Sequence, residues 1–394
     1  FNPNHEAMEH HEPWPGGRTN HYMFDLNRDW AWQTQTETQQ RVQVYLEWMP
    51  MVHVDFHEQG YNSPYYFAPA AEPYHYAITD WQRELQTLIG QNHASYFDQN
   101  NWLYFTREVF DLFYPSYGDT WPTFNGAIGM TYEQAGHSFA GLGVLTEEGD
   151  TLTLYDRMIH HATSGLSTVE TIVNQKERVL EEFQKYFDTT RNNGSGTYKT
   201  FVIKRNSNPD NASRLLRYLM AQKIEVHEAV NEVRASGFDY LTGQVGRVNI
   251  DQGDYIVNTY QPQGTLVRVL FEPKPELADS LTYDITAWEA YYSFGVEGYA
   301  IQGQVEVQPI SFGTESELTP VVSTPYAYLA EWKSFDDAQF LAHLFKQGVR
   351  ARYAEESFSI QGKNYNPGTL VITRKGNEKL GARFDAILKD AALV

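Results

Sequence analysis

The sequence predicts an α/β fold, and three patterns carry that prediction. Apolar and polar residues alternate over 52–57, which is the period of a half-buried strand. The apolar residues of 34–49, just before it, recur at the spacing of an amphipathic helix. In the second half, a strand-like run at 199–204 is followed by Asn208-Pro209, which places proline at the first position of a helix. Strands that alternate with helices are typical of α/β proteins.

The rest of the first half is predicted from spacing and turn residues. Helical spacing recurs over 78–91, and 127–133 predicts a buried strand that ends in a carboxylate. Residues 114–126 hold two prolines and two glycines, which predicts an ordered surface loop. A capping box, Ser167-x-x-Glu170, predicts the start of a helix that runs to about residue 187.

A polar, glycine-containing run at 189–196 predicts a linker, and therefore two domains, residues 1–190 and 197–394. The second domain contains a weak internal repeat, in which a strand and a helix are followed by a turn and Thr-Leu-Val, at 265–267 and again at 369–371. Two copies of a βα unit predict a three-layer α/β domain.

Composition excludes several classes of function. The 394 residues include 50 acidic and 30 basic ones, a net charge of −20, which argues against nucleic acid and against an anionic membrane as partner. The absence of cysteine excludes disulfides, thiolate metal ligands and a cysteine nucleophile. No apolar run is long enough to span a bilayer.

Four side chains are the best candidates for chemistry. Asn27 and Arg28 are adjacent, and a guanidinium presents a planar fork that fits a carboxylate. His57 and Glu133 lie near the ends of their predicted strands, where α/β sheets place ligands. A histidine there is more often only hydrogen-bonded, and an Asn-Arg pair is more often a surface feature. A carboxylate on an apolar strand is costly to bury, which favours a function for Glu133.

In order, Asp25-Leu-Asn27-Arg28, Asp55-Phe-His57 and Thr131-Tyr-Glu133 resemble motifs of the zinc carboxypeptidase family, the metallopeptidases similar to carboxypeptidase A. The opening Asn2-Pro3-Asn4 is similar to the Asn-Pro-Asp-Gly turn that precedes the Asn-Arg pair in that family. The resemblance covers roughly the first half of the chain and implies a mixed-sheet peptidase domain there.

The resemblance also implies an activity, the zinc-dependent removal of C-terminal residues from peptides by a secreted or periplasmic enzyme. In that interpretation His57 is a zinc ligand, and Asn27 with Arg28 holds the substrate carboxylate. Arg18 faces the oxyanion, and Glu133 is the general base. Either Tyr114 or Tyr117 closes over the substrate.

The chain departs from the family in its metal ligands. The family's other two ligands form a His-x-x-Glu pair before the Asn-Pro-Asp-Gly turn, and no histidine here has glutamate three positions later. We expect that pair to lie upstream, in a longer enzyme. The alternatives are a peptide-binding relative without catalysis, or a zinc amidase that acts on a cell-wall peptide or an acylated amino acid.

The second domain resembles the glutamine-amidotransferase-like domain appended to some bacterial members of the family. Catalysis by that domain requires a cysteine nucleophile, which this chain lacks. The resemblance therefore implies a structural or substrate-restricting role for residues 197–394.

Overall fold

Helices and sheets share the chain, so the fold is of the α/β class, as predicted. The computed structural model describes residues 1–14, 16–277, 281–284, 287–310 and 325–391. In the first half the helices are α1 (Thr36–Trp48), α2 (Asp80–Asn100), α3 (Thr120–Phe124), α4 (Leu154–Asn174) and α5 (Lys176–Asn193). The strands are β1 (Val52–Gln59), β2 (Tyr65–Tyr66), β3 (Ala71–Tyr74), β4 (Tyr104–Phe105), β5 (Asp111–Leu112), β6 (Ile128–Ala135), β7 (Gly143–Leu145) and β8 (Thr151–Thr153).

A mixed four-stranded sheet, in the order β1-β6-β2-β4, positions the candidate site. β1 runs parallel to β6, and β2 runs antiparallel to β6. The two long strands, β1 and β6, are confirmed. Each continues two residues past its candidate site residue, from His57 to Gln59 and from Glu133 to Ala135. β6 is buried along its length except at Thr131, because α2 and α4 contact it.

The second half is built differently from the first. Its strands are β9 (Thr200–Ile203), β10 (His227–Ala229), β11 (Val233–Asp239), β12 (Gln244–Ile250), β13 (Tyr255–Asn258), β14 (Gly298–Ile301), β15 (Val307–Pro309), β16 (Ala327–Ala330), β17 (Arg352–Tyr353), β18 (Phe358–Ile360), β19 (Lys363–Tyr365) and β20 (Leu370–Thr373). Its helices are α6 (Pro209–Ala221), α7 (Gly264–Phe271), α8 (Ala290–Phe294), α9 (Phe335–Lys346) and α10 (Arg383–Ala391).

Antiparallel pairing dominates that half. β12-β11-β14-β9-β13-β10-β15 form a seven-stranded sheet in which every pair is antiparallel. β16-β20-β17 form a smaller antiparallel sheet. The strand predicted at 199–204 and the helix with proline at its first position are confirmed as β9 and α6.

Three predicted local features are wrong. Residues 114–124 are buried rather than a surface loop, because their aromatic side chains pack inward, and α3 lies within them. The helix before residue 187 starts at Leu154 with a capping box of Thr153 and Asp156, so Ser167 is interior to α4. The predicted linker at 189–196 is helical as far as Asn193, where α5 ends, and Gly194 is the residue that follows the helix.

The predicted internal repeat is also wrong. Thr265 to Val267 lie in α7, whereas Leu370 and Val371 lie in β20. Every residue of α7 except Arg268 is buried, and so short and mostly apolar a helix has the composition of a buried strand.

One hydrophobic cluster joins residues from both sides of the predicted boundary. It includes Trp121 and Phe124 from the first half, and Leu216 and Phe271 from the second. No helix in the described ranges is both long and apolar enough to cross a membrane.

Candidate active site

The parallel pairing of β1 with β6 brings the two predicted catalytic positions together. His57 is the register partner of Glu133, and Asp55 is the partner of Thr131. Side chains two residues apart on a strand share a face, so these four side chains lie on one face of the sheet. The sequence motifs at 55–57 and 131–133 therefore form one cluster.

His57 is held by two polar neighbours. Its Nε2 atom lies 2.7 Å from Asp55 Oδ2 and 3.2 Å from Asn27 Nδ2. The Asn27 amide is oriented in turn, because its Oδ1 accepts a 2.7 Å hydrogen bond from the Gly118 backbone N–H. Burial lowers the pKa of His57, but Asp55 and the charge of Glu133 raise it to a net value above the ordinary one.

Asn27 and Arg28 lie on a single 3₁₀ turn, Leu26–Arg28. Asp25 caps that turn by accepting a 2.9 Å hydrogen bond from the Asn27 backbone N–H. The other oxygen of Asp25 accepts from Arg18 Nε at 3.0 Å, which ties Arg18 to the same turn. The predicted carboxylate-binding and oxyanion-facing residues are thus brought together by Asp25.

Glu133 is the least satisfied side chain of the cluster. It is 7% exposed, and its Oε2 atom has no hydrogen-bond partner. Burial raises the pKa of Glu133 to about 7, although the charges of His57 and Arg18 act in the opposite direction. A carboxyl group that titrates near neutral pH is suited to act as a general base.

A second buried carboxyl group, Asp119, adjoins the cluster. Its Oδ2 accepts a 2.8 Å hydrogen bond from Thr131 Oγ1, and burial raises its pKa to about 6. Asp119 was not among the predicted site residues, since it lies in the segment predicted to be a surface loop. The one feature of the sequence that could have indicated Asp119 is a charged residue within an aromatic segment.

Arg28 and Tyr117 meet at one carboxylate from the second half of the chain. Arg28 Nε lies 2.8 Å from Asp284 Oδ2, and the Tyr117 hydroxyl donates to that same oxygen at 2.6 Å. The Arg28 guanidinium carbon also lies 4.5 Å from the centre of the Tyr117 ring. No motif singled out Asp284 before its contacts were known.

The structure separates the two candidate tyrosines. Tyr114 is buried, and its hydroxyl accepts a 2.7 Å hydrogen bond from Trp32 Nε1. Tyr117 is buried to the same degree, but it also lines a cleft of about 900 Å³. The other predicted site residues that line this cleft are Arg18, Asn27, Arg28, His57 and Glu133.

The described residues do not by themselves fit a zinc ion. Within the ranges that the structure describes, no group of three or more histidine, aspartate and glutamate side chains is arranged to hold a metal. Zinc binds neutral imidazole, whereas His57 Nε2 is already paired with Asp55, which favours the protonated ring.

Comparisons with known proteins give no relative. No protein family matches this chain, and no curated protein or solved structure is similar to it. The likeness to zinc carboxypeptidases therefore rests on the short motifs alone.

Proposed function

We propose that this chain binds peptides by their C-terminal carboxylate and forms the base-bearing part of a zinc carboxypeptidase. The observation that carries the proposal is that one cleft is lined both by the Arg28 guanidinium and by a buried carboxyl group of pKa about 7. Arg28 supplies the positive charge and Glu133 the base. An exopeptidase that acts at the C-terminus requires both groups.

In this proposal Arg28 and Asn27 position the substrate, and Tyr117 adds a hydroxyl donor. The contacts of Arg28 and Tyr117 with Asp284 support that role, since both side chains already bind a carboxylate oxygen. Glu133 accepts a proton from the attacking water and passes it to the leaving amine.

Zinc remains an expectation from the resemblance. His57 is its one predicted ligand in this chain, and the described residues do not complete a site. We therefore assign no step to the metal.

The finer architecture belongs to the same proposal. The mixed sheet of β1, β6, β2 and β4 supports a carboxypeptidase-like domain over 1–190. The internal repeat no longer supports a three-layer, amidotransferase-like domain at 197–394. That assignment rests on resemblance alone. A secreted or periplasmic location remains a prediction.

Peptide binding tests the carboxylate-binding role. Benzoyl-Gly-Phe and its C-terminal amide differ only in the negative charge that Arg28 is proposed to bind. We expect the free acid to bind more tightly by calorimetry, and Arg28→Gln to weaken it at least about tenfold without affecting the amide. Arg83→Gln is the matched control, because Arg83 pairs with Glu72 outside the cleft. Equal affinity for acid and amide in the unaltered chain would reject the role.

Turnover tests the base. With zinc added, we expect Glu133→Gln to lower hydrolysis of benzoyl-Gly-Phe by about 100-fold or more while the affinity for the peptide is retained. Hydrolysis that survives the substitution would exclude Glu133 as the base. Elemental analysis after dialysis, with the intact mass, would show whether zinc is bound.

One observation favours the peptide-binding alternative, namely the lack of a three-ligand group among the described residues. That alternative predicts a preference for the free acid with no hydrolysis of either probe. The amidase alternative predicts hydrolysis that is insensitive to Arg28→Gln. The two assays therefore separate all three functions.

A further inference from the structure

Two side chains that line the proposed carboxylate-binding end of the cleft already contact a carboxylate of this chain. Asp284 Oδ2 is contacted by Arg28 Nε and by the Tyr117 hydroxyl. The sequence motifs assigned Arg28 to the substrate's terminal carboxylate and named Tyr117 as one of two candidates to close over it. Both side chains thus contact a carboxylate oxygen of Asp284 where, in the proposed function, they would contact the terminal carboxylate of a peptide.

The residue before Asp284 anchors this contact. The Tyr283 backbone N–H donates a 2.6 Å hydrogen bond to Asp111 Oδ2, and its ring centre lies 5.3 Å from that of Phe110. Tyr283 also lines the cleft, with its ring 5.8 Å from the Arg28 guanidinium carbon. The second half of the chain therefore contributes an aromatic side chain and a carboxylate to the proposed binding site.

We propose that Asp284 is an internal competitor for the carboxylate site and sets how tightly a peptide C-terminus binds. The inference rests on the proposed function of Arg28. Asp284 contacts the guanidinium through Nε, and Asp25 Oδ2 already lies 3.9 Å from Nη1. A third negative charge at this guanidinium would be repelled by both, so an incoming carboxylate competes with Asp284 for Arg28.

The exposure of the pair makes such an exchange possible. The side chains of Arg28 and Asp284 are 29% and 32% exposed, so water reaches both. Partly exposed ion pairs are weak, and the competition should be correspondingly modest, about fivefold in affinity. Asp284 would therefore reduce peptide affinity without abolishing it.

Substitution of Asp284 tests the inference with the same two probes. We expect Asp284→Asn to tighten binding of benzoyl-Gly-Phe about fivefold and to leave its amide unchanged. Glu355→Gln, which removes one charge from an exposed position outside the cleft, should change neither affinity. Unchanged or weaker binding of the free acid to folded Asp284→Asn would overturn the inference.

A double-substitution cycle provides an independent measurement. In an Arg28→Gln background, Asp284→Asn should no longer tighten the free acid, because the contested fork is gone. Equal tightening in both backgrounds would also overturn the inference. If Asp284→Asn fails to fold, Asp284→Ser removes the same charge, and the same outcomes apply.

These results separate the inference from the proposed function. If Arg28→Gln removes the preference for the free acid but Asp284→Asn has no effect, only the competitor is rejected. If neither the unaltered chain nor Asp284→Asn distinguishes acid from amide, the carboxylate-binding function itself fails.

Discussion

Two histidine–carboxylate contacts of the same length have different surroundings. His57 Nε2 lies 2.7 Å from Asp55 Oδ2, and His75 Nε2 lies 2.7 Å from Glu272 Oε1. The His57 side chain is 16% exposed beside the cleft, whereas that of His75 is 1% exposed. The distance alone does not distinguish a candidate active site from a structural contact.

The His75 contact is closed by neighbouring groups. His75 Nδ1 accepts a 3.0 Å hydrogen bond from the Ala77 N–H, so Nε2 carries the ring hydrogen toward Glu272. Glu272 also lies 3.0 Å from Arg268, and the net effect of its partners is to lower its pKa despite its burial. The charge of Glu272 is therefore paired with Arg268, and its contact with His75 joins the two halves of the chain.

The acids around the His57 contact differ from Glu272 in the direction of their pKa shifts. Glu133 leaves one buried oxygen without a partner, and the pKa values of both Glu133 and Asp119 are raised by burial. A fold tolerates such a cluster at a cost in stability, which is typical of functional sites. The comparison predicts that the two sites respond to pH in opposite directions.

The largest expected effect is a gain of stability on removing the Glu133 charge. A pKa raised from 4.5 to about 7 means that the folded chain holds its proton longer than the unfolded one, so stability falls as pH rises through that range. Glu133→Gln removes this penalty. We expect the free energy of unfolding, measured with urea, to rise by about 3 kcal/mol at pH 8 and to be unchanged near pH 4.

Glu272→Gln is the matched control for that pH series. Because the pKa of Glu272 is lowered, its charge stabilises the folded chain above the unfolded value, and this contribution is lost as pH falls through the folded one. The control should therefore destabilise the chain at pH 8 and converge with the unaltered chain in acid. The same pH trend in both variants would refute the comparison.

The second-largest expected effect is a difference in stability loss at pH 7 between substitutions at the His75 contact and at the His57 contact. Glu272→Gln leaves His75 and Arg268 with a neutral partner, at an expected cost of about 2 kcal/mol. Asp55→Asn in the cleft should cost less than about 1 kcal/mol, since His57 retains Asn27 as a neighbour. Urea titrations of both variants at pH 7 would measure the difference, and equal losses would contradict it.

Sequence periodicity predicted the parts of the fold that depend on local spacing. The strands that carry His57 and Glu133 follow from alternation and from an apolar run, and the helix at 209–221 follows from proline at its first position. The segment 114–124 could not be predicted to be buried, because prolines and glycines indicate irregular backbone but not its depth. The repeat predicted from Thr-Leu-Val at 265–267 and 369–371 failed because a short apolar run can form either a helix or a strand.

The candidate site was predicted as far as its residues lie in short motifs. Asp119 and Asp284 reach the cluster from elsewhere in the chain, Asp284 being 256 residues beyond Arg28. Their contacts depend on how the two halves pack, which no local pattern encodes. The choice of Tyr117 over Tyr114 likewise required the cleft.

The smallest expected effect is on the pKa of His57, and it tests which acid makes the His57 site differ from the His75 site. Asp55 raises the pKa of His57 against the opposing effect of burial, so Asp55→Asn should leave burial dominant and bring the pKa below its ordinary value. A titration of the imidazole resonances by NMR would measure this. A neutral His57 would have Nε2 released from Asp55 and available as a ligand, so added zinc should perturb its resonances more in Asp55→Asn than in the unaltered chain. If the pKa of His57 stays raised without Asp55, then Glu133 rather than Asp55 is the acid that stabilises the protonated imidazole.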